Sequence, residues 1–226
     1  MIDQDLLLYL QDGFLTEQRR LRFEEVMNKR SYFLTVVAED VFQMHNTSAV
    51  LRSCDAFGIQ RFYAIEDRFG SELDKNIAMG AEKWVEVERF STASECAQHL
   101  KQEGFTLVAT SPEVPLKFQG QKPLYFLQDY RVEGPTAVLF GTEKEGLSEE
   151  LLETADHYLE IPMQGFTESF NISVAAALVL YELSSQMRSS DLPWKLKDEE
   201  KAKLRWEWTC KSIKDVEAII ERYRGK

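Results

Sequence analysis

Phe166-Thr167-Glu168-Ser169-Phe170-Asn171 runs directly into Ile172-Ser173-Val174-Ala175-Ala176-Ala177-Leu178-Val179-Leu180-Tyr181-Glu182-Leu183. The second half reads as a buried helix, because Ala and Leu dominate it and neither Gly nor Pro interrupts it. Ser169 and Asn171 stand where an oxygen-bearing side chain caps the first turn of such a helix. Capping alone would explain them. Two other segments, around Asn46 to Gly58 and Phe140 to Ser148, combine small, polar and charged residues at the ends of apolar runs in the same way, and that company raises a functional reading.

Upstream of this helix, apolar strands alternate with helical patterns. Strands are read at Phe33 to Ala38, Gln60 to Glu66, Trp84 to Glu88, Phe105 to Ala109, Thr136 to Gly141 and Tyr158 to Ile161. Helices are read near Ser48 to Phe57, Thr92 to Glu103, Ser148 to Thr154 and Ile172 to Met187. The alternation predicts an α/β fold, a mainly parallel sheet with helices on both faces. Ser111 to Pro135 carries Pro112, Pro115, Pro123 and Pro135 and reads as a long loop with room for a short edge strand. Thr16 caps a helix reaching Lys29, with Phe23, Val26 and Met27 on one face. Beyond Pro193 a charged segment leads into Ile213, Val216, Ile220 and Tyr223 at helical spacing. The expected division is a helical extension over residues 1–30, an α/β domain over 31–190 and a second helical extension over 191–226.

The composition, 44% apolar and 29% charged over 226 residues, is that of a soluble globular chain. Val174 to Tyr181, the longest apolar run, is too short to cross a bilayer. Asp3 and Asp5 occupy the place of a basic n-region, so no secretory signal is expected. Cys54, Cys96 and Cys210 show no metal or disulfide spacing. A cytoplasmic protein without metal is the expectation. The net charge of −11 weighs against phosphate binding at first sight. Its distribution softens the objection: residues 1–30 and 195–226 hold 15 basic and 13 acidic residues, whereas 31–194 hold 12 and 25. Arg19, Arg20 and Arg22 cluster at one end and Lys201, Lys203 and Arg205 at the other, which makes them the candidate RNA contacts; solvated helical faces are the plainer alternative.

Several common enzymes are excluded by what is missing. No G-x-G-x-x-G follows a strand, Gly141 and Gly146 are not followed by the Lys and Ser/Thr of a P-loop, and no G-x-S-x-G elbow occurs. The three segments remain. In Asn46-Thr47-Ser48-Ala49-Val50-Leu51-Arg52-Ser53-Cys54-Asp55-Ala56-Phe57-Gly58, Asn46 opens a helix and Gly58 closes it. Phe140-Gly141-Thr142-Glu143-Lys144-Glu145-Gly146-Leu147-Ser148 is a strand end, a tight turn and a helix cap. Ile161-Pro162-Met163 leads into the loop that ends at Ser169-Phe170-Asn171.

In order, spacing and type these segments resemble the three motifs of the TrmH (SpoU) branch of the SPOUT superfamily, RNA ribose 2'-O-methyltransferases, and the resemblance runs from about Thr16 to Met187. It implies a C-terminal trefoil knot, S-adenosylmethionine as cofactor, and a homodimer whose subunits share each site. It implies that Thr110, Gly141, Ile161, Met163 and Phe170 line the cofactor pocket and that Asn46, Arg52, Glu143, Ser169 and Asn171 are catalytic. The implied substrate is tRNA or another structured RNA, with the D-loop guanosine at position eighteen of tRNA as target. A ribosomal RNA guanosine methyltransferase of the same branch and a non-catalytic RNA-binding protein are the alternatives. A guanidinium is too weakly acidic to serve as a base at neutral pH, so Arg52 is expected to act as an electrostatic clamp, with water, phosphate or His45 receiving the proton.

Overall fold

A computed structural model describes residues 3–40, 44–66, 78–111, 114–142 and 145–225. In chain order its elements are α1 (Gln4–Phe14), α2 (Glu17–Met27), β1 (Leu34–Glu39), α3 (Met44–Ala56), β2 (Arg61–Ile65), β3 (Glu86–Phe90), α4 (Ala93–Gln102), β4 (Thr106–Thr110), β5 (Leu124–Phe126), β6 (Thr136–Phe140), α5 (Glu149–Thr154), β7 (His157–Glu160), α6 (Ile172–Ser189), α7 (Asp198–Ser212) and α8 (Val216–Arg224). Short 3₁₀ turns lie at Ala81–Lys83 and Leu116–Phe118. The chain divides into two compact units, one formed by Ser31–Trp194 and the other by Met1–Arg30 together with Lys195–Lys226.

The first unit is built on a seven-stranded sheet in the order β3-β2-β1-β6-β4-β7-β5. Every strand pair is parallel. A parallel sheet covered on both faces needs strands that are apolar at successive positions, and β1 and β6 are buried throughout. Alternate residues serve opposite faces. Val36, Phe62, Val138 and Leu159 join Val50, Leu51 and Cys54 of α3 and Ala176, Val179, Leu180 and Leu183 of α6 in one core. Val37, Tyr63, Leu107, Leu139 and Tyr158 join Cys96, Leu100, Leu151 and Leu152 of α4 and α5 in the other. Chain order departs from sheet order at two places, since β6 lies between β1 and β4 while β7 lies between β4 and β5. The loops leaving β4, β6 and β7 therefore emerge side by side at the carboxyl edge.

Local chemistry moves some boundaries from those expected. The third strand starts at Glu86 rather than Trp84, because Gly80 (φ +89°) and a 3₁₀ turn draw Trp84 and Val85 into hydrogen bonds to the Ala81 carbonyl at 2.9 and 3.0 Å. The helix expected from Ser48 begins at Met44, which places Asn46 inside its first turn. The Pro-rich segment does carry an edge strand, β5, paired with β7 in register Tyr125 to Leu159.

In the second unit, α1 has no counterpart among the expected elements. Asp3 caps it through Oδ1, which accepts from Leu6 N at 3.1 Å, and Leu6, Leu7 and Leu10 are buried. Leu6 and Leu10 pack with Ile213, Ile219, Ile220 and Tyr223. Phe23 of α2 meets Trp208 of α7 edge-on at 5.6 Å between centroids, and Arg205 of α7 grips Glu24 of α2 through Nε at 2.6 Å and Nη2 at 2.8 Å.

Candidate functional site

Register decides what meets at the carboxyl edge. Ala109 pairs with Leu139, Thr110 with Leu159 and Ala38 with Phe140. Thr110 at the end of β4, Gly141 just past β6 and Ile161 just past β7 thus stand on three neighbouring strands, the position where open α/β sheets bind ligands. Thr110 Oγ1 donates to the Leu139 carbonyl at 2.7 Å, which ties the tip of β4 to β6. Ile161 is half-buried against the α3/α6 core. Met163 is half-buried and Phe170 is 40% exposed.

Gly141 is required by close approach. A Cβ there would lie 2.1 Å from the Gly146 carbonyl carbon and oxygen and 2.3 Å from Leu147 N. The loop folds back because Thr142 and Gly146 exchange backbone hydrogen bonds of 2.9 and 3.1 Å, and Glu145 N donates to Thr142 Oγ1 at 2.9 Å. Gly146 closes the turn at φ +70°. Its far end is fixed by Ser148, whose Oγ accepts from Leu151 N at 3.3 Å as the cap of α5 and whose N–H donates to Glu39 Oε2 at 2.7 Å. Glu39 is buried at the tip of β1. It is a residue the sequence reading missed, although a lone carboxylate at the end of an apolar strand was a signal for it. Glu143 lies outside the described residues.

The polar constellation is assembled by two helices that start together. Asn171 caps α6, its Oδ1 accepting from Ser173 N at 2.9 Å and from Ser173 Oγ at 2.5 Å, while its Nδ2 donates to Asn46 Oδ1 on α3 at 3.2 Å. That bond joins residues 125 positions apart. Asn46 is buried; Arg52, Ser169 and His45 are exposed. Arg52 rises on α3 between Asn46 and the helix end, and makes no hydrogen bond or ion pair among the described residues. A charged guanidinium presented to solvent suits recognition of a phosphate and of negative charge developing on an adjacent oxygen.

A cavity of about 360 Å³ opens past the end of β1, lined by Glu39, Asp40, Thr142, Glu145, Gly146 and Ser148 among others. None of the residues expected to hold a cofactor lines it, and its acidic wall would repel phosphate. The basic residues expected to contact RNA sit on two packed helices of the other unit, Arg19, Arg20 and Arg22 on α2 and Lys201, Lys203 and Arg205 on α7. Arg20 pairs with Asp12, Arg22 with Glu25 at 2.6 Å, Lys203 with Glu207 at 3.7 Å and Arg205 with Glu24, while Lys201 Nζ donates to Asn28 Oδ1 at 3.3 Å. Arg19 is exposed.

A parallel α/β sheet with three strand ends and two helix starts gathered at its carboxyl edge defines a protein of the open-sheet class, with the ligand position of that class at those strand ends. The chain belongs to the SpoU rRNA Methylase family, whose pattern it matches over residues 33–181, and it is an RNA methyltransferase. It is 34% identical over 220 residues to the tRNA (guanosine(18)-2'-O)-methyltransferase of Borreliella burgdorferi, covering 96% of this chain and 97% of that protein. The crystal structure of the TrmH/SpoU tRNA modifying enzyme of A. aeolicus superposes with a TM-score of 0.76 at 30% identity, over 88% of this chain and 98% of the other. The SpoU methyltransferase AviRb from Streptomyces viridochromogenes, solved in complex with the cofactor AdoMet, shares the fold with a TM-score of 0.60 at 23% identity, over 74% of this chain and 62% of that one.

Proposed function

We propose that this protein methylates the ribose 2'-hydroxyl of a guanosine in RNA, the guanosine at position eighteen of tRNA, using S-adenosylmethionine, as a homodimer built on a trefoil-knotted sheet. The observation that carries this reading is the hydrogen bond from Asn171 to Asn46, which unites the first and third motifs; Arg52 of the first motif is exposed six residues further along α3. The relative from Borreliella burgdorferi, named for guanosine 18 of tRNA and aligned over nearly the whole chain, supports the target.

Thr110, Gly141, Ile161, Met163 and Phe170 are the residues that would hold the cofactor. The narrow, backbone-lined turn that only Gly at position 141 permits fits a ligand held by main-chain groups. When bound, the cofactor supplies an electrophilic methyl group. The chain supplies positioning and charge. Arg52 carries a planar fork of donors, so it binds the phosphate next to the target ribose and stabilises the oxygen as its proton leaves to water or phosphate. Asn171 and Ser169 orient the ribose, and Asn171 also fixes the start of α6. Glu143 is assigned to the same constellation from its motif alone. Val174, Leu178 and Tyr181 are 45%, 41% and 62% exposed at helical spacing along one side of α6, Phe170 in the loop just before it is 40% exposed, and this apolar surface supports a dimer formed through α6. The basic residues of α2 and α7 are assigned to RNA phosphates; surface ion pairs are weak enough, about 0–1 kcal/mol, for phosphate to displace their carboxylate partners.

The test is mass-spectrometric mapping of 2'-O-methylation on unmodified tRNA and ribosomal RNA incubated with protein and S-adenosylmethionine. A single methyl at guanosine eighteen of tRNA, lost in Arg52→Lys with cofactor affinity unchanged, is the expected outcome. Methylation of ribosomal RNA alone would reassign the target. An active Arg52→Lys variant, within tenfold or about 1.4 kcal/mol in barrier, would remove Arg52 from the mechanism.

A further inference from the structure

The catalytic helix α3 is anchored to α6 at both ends. At its start the anchor is Asn46 to Asn171. At its finish α3 turns through Gly58 (φ +72°), with Ile59 N donating to the Cys54 carbonyl at 2.8 Å and Gly58 N to the Asp55 carbonyl at 3.1 Å. Such a turn leaves terminal carbonyls needing donors. The Phe57 carbonyl receives one from Arg188, near the end of α6, through Nη2 at 2.6 Å. Phe57 also packs edge-on against Tyr181 of α6 at 6.2 Å between centroids.

Arg188 is itself held in place. Its guanidinium lies over the Trp194 ring at 5.2 Å, the Trp194 carbonyl accepts from Ser31 Oγ at 2.7 Å, and Ser31 N donates to the Gly58 carbonyl at 2.9 Å. Phe57-Gly58, Ser31, Trp194 and Arg188 thus form a closed ring of contacts at the end of α3. The guanidinium is half-buried, and burial lowers its pKa from the ordinary value, so its hydrogen bond to Phe57 is made in a poorly solvated place where it is worth more than at the surface. Arg52 lies five residues before the carbonyl that Arg188 holds, between the two anchors.

We infer that Arg188 is a positioning residue for Arg52: by holding the Phe57 carbonyl it sets the end of α3, and through it the placement of the Arg52 guanidinium at the reacting ribose. The inference rests on the role given to Arg52 above. Misplacement of a catalytic group by about 1 Å costs on the order of a hundredfold in rate, so the effect should be large although Arg188 touches neither ligand.

The experiment compares Arg188→Met, which keeps the stem over Trp194 but removes donor and charge, with Arg188→Lys, which restores a donor. Methyl transfer to tRNA is measured with wild type, both variants, Arg52→Ala and Arg52→Ala/Arg188→Met, together with amide hydrogen exchange along α3. Expected are a fall in kcat on the order of ten- to a hundredfold in Arg188→Met, KM for tRNA and cofactor unchanged, partial recovery in Arg188→Lys, and no further loss when Arg188→Met is added to Arg52→Ala. Faster exchange at residues 52–58 with unchanged exchange in β4 and β6 is expected whether or not the RNA assignment holds. If wild type methylates and Arg188→Met retains its kcat, or loses only KM, the inference is overturned while the function stands. If wild type does not methylate tRNA, the functional reading fails, and unchanged exchange at residues 52–58 in Arg188→Met would overturn the anchor as well.

Discussion

Gly141→Ala places a single methyl group where the loop has no room. The added Cβ would lie 2.1 Å from the Gly146 carbonyl carbon and oxygen, against 3.4–4 Å for ordinary contact, so the opposing backbone must retreat by about 1.3 Å. That backbone is not free to move: Gly146 is tied to Thr142 by two hydrogen bonds, Leu147 is 7% exposed, and Ser148 N is held by Glu39. Either the strain is retained, costing about 1–3 kcal/mol, or the loop relaxes and loses the geometry of the cofactor cleft, costing on the order of a hundredfold in rate. Thermal unfolding, cofactor titration calorimetry and methyl transfer should be measured on Gly141→Ala beside two controls. At Gly134 a Cβ meets nothing within 4 Å, and Gly134→Ala should change stability by no more than about 1 kcal/mol. At Gly146 space is open but φ is +70°, and Gly146→Ala should cost about 1–2 kcal/mol from backbone conformation alone. A Gly141→Ala protein that melts, binds cofactor and turns over like Gly134→Ala would refute the close-approach argument.

Asn171→Asp keeps the oxygen that caps α6 but loses the donor to Asn46, so its stability should stay within about 1 kcal/mol of wild type while methyl transfer falls at least tenfold; Asn171→Ala should lose both, the cap accounting for about 0.5–2 kcal/mol. Leu178→Glu combined with Tyr181→Glu should yield a monomer by analytical ultracentrifugation with the far-ultraviolet spectrum unchanged, and a dimer of wild-type affinity would remove α6 from the interface. Burial pushes the Cys96 thiol from 9.0 up to about 12 and the Tyr130 phenol from 10.0 up to about 12. The unfolded chain releases these protons first, so stability should be full below about pH 9 and fall as pH rises towards 12, at a slope of at most roughly 1.4 kcal/mol per pH unit for each group. Cys96→Ala should flatten that decline, and an unchanged alkaline slope would show that the thiol does not contribute.

The sheet was legible because each strand is a short apolar run between helical patterns, which leaves a parallel α/β arrangement as the natural packing. Strand order was not. Nothing in Thr136 to Phe140 says that it enters between β1 and β4 rather than at an edge; that depends on long-range pairing. The helix at Gln4 to Phe14 escapes a sequence reading because Leu8 and Tyr9 interrupt its Leu6, Leu7, Leu10 face, and the partners that bury that face lie some 200 residues away. Asn46, Arg52 and Asn171 could be singled out because their types and flanking patterns recur as a set. Arg188 could not, since an arginine near a helix end reads as an ordinary surface cation until Phe57 and Trp194 are seen beside it. Glu39 is hidden for a related reason: its partner, an amide N–H, has no signature in sequence.

The helical unit draws its two halves from segments that flank the whole sheet unit. Leu6, Leu10 and Phe23 are buried against Ile213 and Trp208, residues that a ribosome adds only after the sheet is complete. At about 5–20 residues per second, residues 1–30 spend roughly 10–40 s without the surface that covers them. The sheet unit is one continuous stretch from Ser31 to Trp194, so its elements emerge without such an interruption. Biosynthesis therefore imposes an order, with the methyltransferase core folding first and α1 and α2 waiting as amphipathic, uncovered segments until residues 195–226 emerge. A chain stopped at Lys195 would leave those segments permanently exposed on a molecule whose core is folded, so the hazard of such a lesion is aggregation through α1 and α2 rather than the loss of a dispensable tail.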